Sequence, residues 1–112
     1  VIIDYTKQVA LVVIKGDEEN QHIAAVGRYA IDEATHTAEV AFAVRDDQQN
    51  NGIGFALLQY LTYLAKRQGL LGFTAEVIVD NRPMLHVFEK GGFDMKRKID
   101  AGVYDLVLKF KT

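Results

Sequence analysis

The residues of this chain best placed to do chemistry lie in Gln49-Asn50-Asn51-Gly52-Ile53-Gly54, between an apolar run that alternates and a long amphipathic stretch. A glycine turn that opens a helix points several backbone N–H groups the same way. The helix dipole adds partial positive charge, so the natural guest is an anion such as a phosphate. The dinucleotide pattern GxGxxG fails here, because Leu57 stands in the place of the third glycine. A Walker A loop fails too, since no Gly-Lys-Ser/Thr follows. A plain turn, with glycine used for backbone freedom, satisfies the same residues.

Other candidates are weaker. His22, His36 and His86 share no metal-ligand spacing, which gives no metal site. The chain has no cysteine, so disulfides, thiolate zinc sites and a Cys nucleophile are all excluded. Lys96-Arg97-Lys98 is a solvated strand face, too short to bind nucleic acid. A net charge of −2 provides no general attraction to nucleic acid or anionic membrane. No run approaches the ~18 apolar residues of a membrane helix, and the composition fits a cytoplasmic protein.

The elements that must position the turn follow from periodicity. Val1 to Tyr5 is an apolar lead-in, and Val9–Lys15 is a β-branched strand. His22–Ile31 is its antiparallel partner, where Gly27 marks a bulge or a close approach. Thr37–Val44 alternates, with Ala38, Val40, Phe42 and Val44 on one face and Glu39, Ala41 and Ala43 on the other. The helix after the turn places Leu57, Leu58, Leu61, Leu64 and Ala65 at helical spacing, and Gly69 ends it. Tyr60 and Tyr63 read as packing residues of that helix. Leu71–Val79 is a strand, so strand, helix and strand in succession predict a parallel crossover. Asn81 caps a short helix over Met84–Lys90 that stops at Gly91-Gly92. Phe93–Lys98 and Val103–Phe110 form a closing hairpin. The fold class is α/β: one domain over residues 1–112 with a mixed, mostly antiparallel sheet and a long helix after its central strand.

Gln49-x-x-Gly52-x-Gly54 resembles the acyl-CoA pyrophosphate loop of the GNAT N-acetyltransferase superfamily. Asn81-x-x-Met84-Leu85-x-Val87-Phe88-Glu89-Lys90-x-Gly92-Phe93 is similar to that superfamily's second signature, an Asn, a helix, then Gly-Phe. Ile3-Asp4-Tyr5, Ala10-Leu11-Val12 and Asn81-Arg82-Pro83-Met84-Leu85 look like bacterial protein lysine acetyltransferases, in which the domain is often fused to an acyl-CoA-synthetase-like region. The resemblance implies acetyl-CoA as co-substrate, with no metal. The N–H groups of Gln49, Asn50, Asn51, Gly52, Ile53 and Gly54 would hold the pyrophosphate. Backbone groups of Phe42, Ala43 and Val44, with a bulge there, would meet the pantetheine arm, and Asn81 would cap its helix and contact that region. Lys66, Arg67, Arg82 and Lys90 are candidates for the 3′-phosphate, and nothing in the sequence selects among them.

The resemblance also implies a reaction: an amine, such as a protein lysine or a small-molecule amine, attacks acetyl-CoA directly in a ternary complex. Lysine has an unperturbed pKa of about 10.4, so a base is useful, and Glu39 stands where the family carries one. Phe88 stands where the family often has a tyrosine that reprotonates the thiolate, and phenylalanine has no proton to give. The family's initial strand and two helices, which line the acceptor side, precede the first strand seen here. With Val1 in place of an initiator Met, this reads as an N-terminally truncated piece of a longer chain. Two functions follow: a catalytic N-acetyltransferase domain, or a non-catalytic acyl-CoA-binding regulatory module of a larger fused protein.

Overall fold

The computed structural model describes residues 7–48 and 52–111. Val1–Tyr5 and three residues of the expected anion loop, Gln49, Asn50 and Asn51, lie outside the described residues. The elements run β1 (Gln8–Lys15), β2 (His22–Asp32), β3 (Thr37–Val44), α1 (Ile53–Arg67), β4 (Gly72–Ile78), α2 (Arg82–Lys90), β5 (Asp94–Asp100) and β6 (Val103–Lys109). They form one six-stranded sheet in the order β1-β2-β3-β4-β6-β5. Every neighbouring pair is antiparallel except β3 with β4, the parallel pair that α1 connects. Parallel neighbours need a crossover of this kind, because a tight turn can only reverse the chain.

The alternation read in β3 is realised. Ala38 and Val40 are buried, whereas Glu39, Ala41 and Ala43 are exposed. Register carries the same face across the sheet: Val40 lies opposite Tyr29, Ala38 beside Phe73, and Phe73 opposite Leu108. Onto this face α1 lays Leu57, Leu58, Leu61 and Ala65, all buried. Gly27 is a close approach. A Cβ there would sit 2.7 Å from Leu57 Cδ2, so the bare backbone lets the helix down onto β2. The irregularity in the β1–β2 ladder falls instead between Val13 and Ile14.

Local chemistry ends the elements. Gly69 takes φ +81°, with its N–H bonded to the Lys66 carbonyl and the Leu70 N–H to the Ala65 carbonyl, the paired bonds of a Schellman cap. Ala101 and Gly102, both at positive φ, make the two-residue turn between β5 and β6. Tyr60 and Tyr63 depart from the packing role read for them. They are 55% and 53% exposed, facing each other at 6.2 Å, and the Tyr63 hydroxyl accepts from Arg67. Their positions fall on the helix face away from the leucines, so they cover no core.

Burial raises the pKa of Tyr29, whose hydroxyl donates to Gln68. An ionised Tyr29 is disfavoured in the folded chain. Its contribution to stability is therefore complete below the ordinary pKa of 10.0 and falls as pH rises through the raised value.

Gly72 begins β4 where a Cβ would lie 2.4 Å from the Leu108 carbonyl oxygen, a backbone atom that cannot turn aside. Gly72→Ala should cost about 2–3 kcal/mol in urea unfolding through overpacking. An unchanged midpoint would show that the β4–β6 spacing is not rigid.

Candidate active site

β3 and β4 pair over only three residues, Thr37–Gly72, Ala38–Phe73 and Glu39–Thr74. Beyond Glu39 the two strands part, while β3 stays bonded to β2 along its whole length. The N–H of Arg45 donates to the Ala24 carbonyl on the β2 side. Strand alternation then turns the peptide groups of Phe42 towards the gap and those of Ala43 towards β2. The bulge expected at Phe42–Val44 is absent, since β2 and β3 run one-for-one from Thr37 to Val44. Eight consecutive rungs hold β3 straight, and it is loss of the β4 partner that exposes the backbone of Phe42.

The gap opens into a cleft of about 260 Å³ lined by Phe42, Ala43 and Val44 of β3, Gly52, Gly54 and Phe55 at the start of α1, and the outer face of α2. Ile53 is 9% exposed and anchors the first turn of α1 in the core, outside the cleft wall. The two glycines serve different ends. Gly52 caps α1 at φ 80° with nothing within 4 Å of a would-be Cβ, so its requirement is conformational. Gly54 is helical, and a Cβ there would meet Val44 Cγ2 and Val87 Cγ2, each at 3.5 Å. Gly54 therefore seats the head of α1 between β3 and α2.

Asn81 is the cap of α2 and stands on the cleft wall. Its Oδ1 accepts from the Met84 N–H at 3.3 Å, capping α2, and the residue lines the cleft. α2 begins at Arg82, two residues before the expected start, because that cap and Pro83 in the first turn favour helix at once. Pro83, Met84, His86, Val87 and Lys90 line the cleft from α2 and were not singled out together from sequence, and neither was Phe55. Their i, i+3, i+4 and i+7 spacing was readable, but their apolar members looked like core. Among the described residues none that lines the cleft is acidic, and no acidic side chain occupies the first turn of α1. The cleft suits an anion with an apolar arm.

Glu39 stands elsewhere. It is exposed on the opposite face of the sheet, between Ala30 and Thr74, on the last paired rung before the strands part. Along an extended strand it is about 10 Å from Phe42. Phe88 is 2% exposed and packs against Phe42 with ring centroids 5.7 Å apart and planes tilted by 52°, so it supports the cleft from beneath. Tyr104 lines an adjoining cavity with Asp80, Arg82 and Glu89, which shares Pro83 and His86 with the cleft. Among the described residues no group of His, Cys, Asp or Glu could hold a metal ion, and no helix is long and apolar enough to cross a membrane.

A mostly antiparallel sheet with one parallel junction that parts beside a helix N-terminus is the GNAT fold. Residues 3–93 match the family described as Acetyltransferase (GNAT) family, and the chain belongs to it. It is 41% identical over 66 residues to Acetyltransferase Pat of Mycolicibacterium smegmatis, covering 59% of this chain and 20% of Pat. It superposes on the GNAT domain of S. lividans PAT with a TM-score of 0.79 at 32% identity, covering 97% of this chain and 64% of that one. A cAMP-binding acyltransferase from Mycobacterium smegmatis gives a TM-score of 0.77 at 28% identity, over 96% of this chain and 33% of that one. The chain thus spans about a fifth of Pat and under two thirds of the S. lividans domain.

Asn81→Ala should cost about 1 kcal/mol of stability in thermal or urea unfolding through loss of the cap. Asn81→Asp keeps an acceptor for the Met84 N–H and should stay close to the parent. Equal losses in the two variants would show that the cap is not what α2 uses Asn81 for.

Proposed function

We propose that this chain is the carrier-binding and catalytic part of an acetyl-CoA-dependent N-acetyltransferase whose acceptor is an amine, most simply a protein lysine. The observation that carries this reading is the parting of β3 and β4 after Glu39, beside a helix N-terminus whose glycines leave room for a phosphate. Family membership and the likeness to Pat and to the S. lividans PAT domain support it.

In this reading the CoA phosphates meet the turn around Gly52 and Gly54, together with Gln49, Asn50, Asn51 and Ile53. The pantetheine arm lies along Phe42, Ala43 and Val44 with Asn81 opposite. The gap-facing peptide of Phe42 offers an N–H to the thioester oxygen as charge develops there. The acceptor approaches from the open face of the sheet. Glu39 and Glu76 are exposed on that face, and Asp105 there lies between Glu76 and Lys98. Glu39 takes a proton from the ammonium group, through water given its distance from the cleft. The neutral nitrogen attacks the carbonyl carbon, a C–N bond forms, the C–S bond breaks, and CoA leaves as a thiolate. The nitrogen gives up its second proton to water as the amide forms, and solvent protonates the thiolate, because the buried Phe88 ring has no proton to give.

The burial of Phe88 also favours a second reading, a non-catalytic module that binds acyl-CoA and reports its occupancy to a larger fused protein. Turnover separates the two. Glu39→Gln should lower kcat by roughly 100-fold or more, as loss of a general base does, with acetyl-CoA affinity unchanged. A parent protein that binds CoA but acetylates no amine, protein lysines included, would exclude the catalytic reading.

Gly54→Ala should fold normally, since its Cβ makes ordinary contacts with Val44 and Val87. Gly54→Leu should weaken CoA binding by about 100-fold in titration calorimetry, because a side chain forced between β3 and α2 costs up to about 3 kcal/mol. Full affinity in a folded Gly54→Leu protein would remove the phosphate assignment.

A further inference from the structure

The gap between β3 and β4 has an open side as well as a cleft side, and a carboxylate flanks it there. The last paired rung joins Glu39 to Thr74. Carried forward, that register sets Ala41 level with Glu76, Phe42 with Val77 and Ala43 with Ile78, on strands that no longer bond. Phe42 and Val77 belong to the helix face, where Val77 is buried. Ala41, Ala43, Glu76 and Ile78 are exposed on the open face. Glu76 is therefore one residue, about 3 Å, short of the level of Phe42, whereas Glu39 is three residues, about 10 Å, short of it.

The neighbours of Glu76 leave its charge uncompensated. Asp105 stands opposite it on β6, and Asp105 has Lys98 of β5 on its other side. On its own other side Glu76 has the gap, and level with it the methyl group of Ala41. It forms no ion pair among the described residues. One carboxylate opposite another is mildly destabilising in a sheet unless a cation joins them. Two residues along the same face, Ile78 is 64% exposed, more than any other large apolar residue described. The open mouth of the gap thus combines an unpaired carboxylate, an apolar side chain beside it and small residues facing both. That is the complement of a primary ammonium group carried on an aliphatic stem.

We infer that Glu76 is the residue that holds the acceptor's ammonium group at the gap, with Ile78 packed against the methylene stem. This rests on the acetyltransferase reading of the site. A charge-assisted hydrogen bond from the ammonium to Glu76 selects a cationic primary amine over a neutral or anionic acceptor. It also brings the nitrogen close to the level of Phe42, where that reading puts the thioester carbonyl. Glu39, further back on the same face, then takes the proton through water. The two carboxylates divide the work, Glu76 acting on acceptor binding and Glu39 on proton removal.

The test is steady-state kinetics of the parent, Glu76→Gln and Glu76→Lys with acetyl-CoA and a lysine-containing peptide, at low and high salt. Glu76 is exposed, so both variants should melt with the parent. Glu76→Gln should raise the peptide KM about tenfold at low salt, the size of one charged hydrogen bond. Glu76→Lys should raise it further, and both gaps should shrink at high salt. The acetyl-CoA KM and the kcat at saturating peptide should keep their parent values. Parent-like peptide KM in both variants overturns the inference and leaves the acetyltransferase reading standing. A rise that high salt leaves intact does the same, since packing and not charge would then be its cause. So does a loss confined to kcat, which would make Glu76 a proton acceptor. A parent that leaves the peptide unmodified overturns the inference, and one that acetylates no amine at all overturns the acetyltransferase reading with it.

Discussion

The separation of β3 from β4 after three paired residues is the constraint on which the rest of the molecule depends. Parallel strands this close would ordinarily continue their ladder, because an unpaired peptide group in a sheet is costly unless something else bonds it. Here the ladder stops, and the start of α1 lines the gap. Its head sits where a Gly54 Cβ would touch both Val44 on β3 and Val87 on α2, so the three elements meet at one point. The glycine allows contact at the backbone, and the leucines behind it hold α1 against the sheet. With the ladder stopped, strand alternation leaves the peptide of Phe42 facing the cleft, and a cost in pairing becomes a binding surface.

Two faces follow from this geometry, and they differ in chemistry. The helix face contributes a cleft with apolar walls from Phe42, Phe55, Met84 and Val87, and a basic edge from His86 and Lys90. The open face carries Glu39 at the apex of the separation and Glu76 opposite Asp105 beyond it. Charge on the open face is mixed, since Asp105 also lies opposite Lys98. The two faces meet where β3 and β4 part.

Much of this was legible in the residues. β3, from Thr37 to Val44, was read to its end residues because strict alternation leaves one register that buries Val40 and exposes Glu39. α1 followed from its leucine spacing and its end from Gly69, whose positive φ few other residues adopt. The parallel crossover followed from the order of strand, helix and strand. Less legible was α2, whose apolar Met84 and Val87 pack against the core and also line the cleft, while His86, read as a surface or partly buried residue, lines it too. An amphipathic stripe records that a face meets something apolar, and it does not say whether that partner is protein or ligand. The bulge anticipated at Phe42 was not found, since the β2 ladder that holds β3 straight is a property of the neighbouring strand.

What the sequence by itself determined is the local grammar: where the strands alternate, where the helices begin and end, and that Gly52 and Gly54 stand at a helix head where an anion can bind. These depend on backbone preference and on periods of two and 3.6, which are written within a few residues of each position. Tertiary structure alone decided that Lys90, and not Lys66, Arg67 or Arg82, lines the cleft, and that β3 and β4 part just beyond Glu39. Lys66, Arg67, Arg82 and Lys90 are equivalent in composition. Only the packing of α1 between β3 and α2 brings Lys90 beside the glycine turn and leaves the others at the far end of a helix or beyond it.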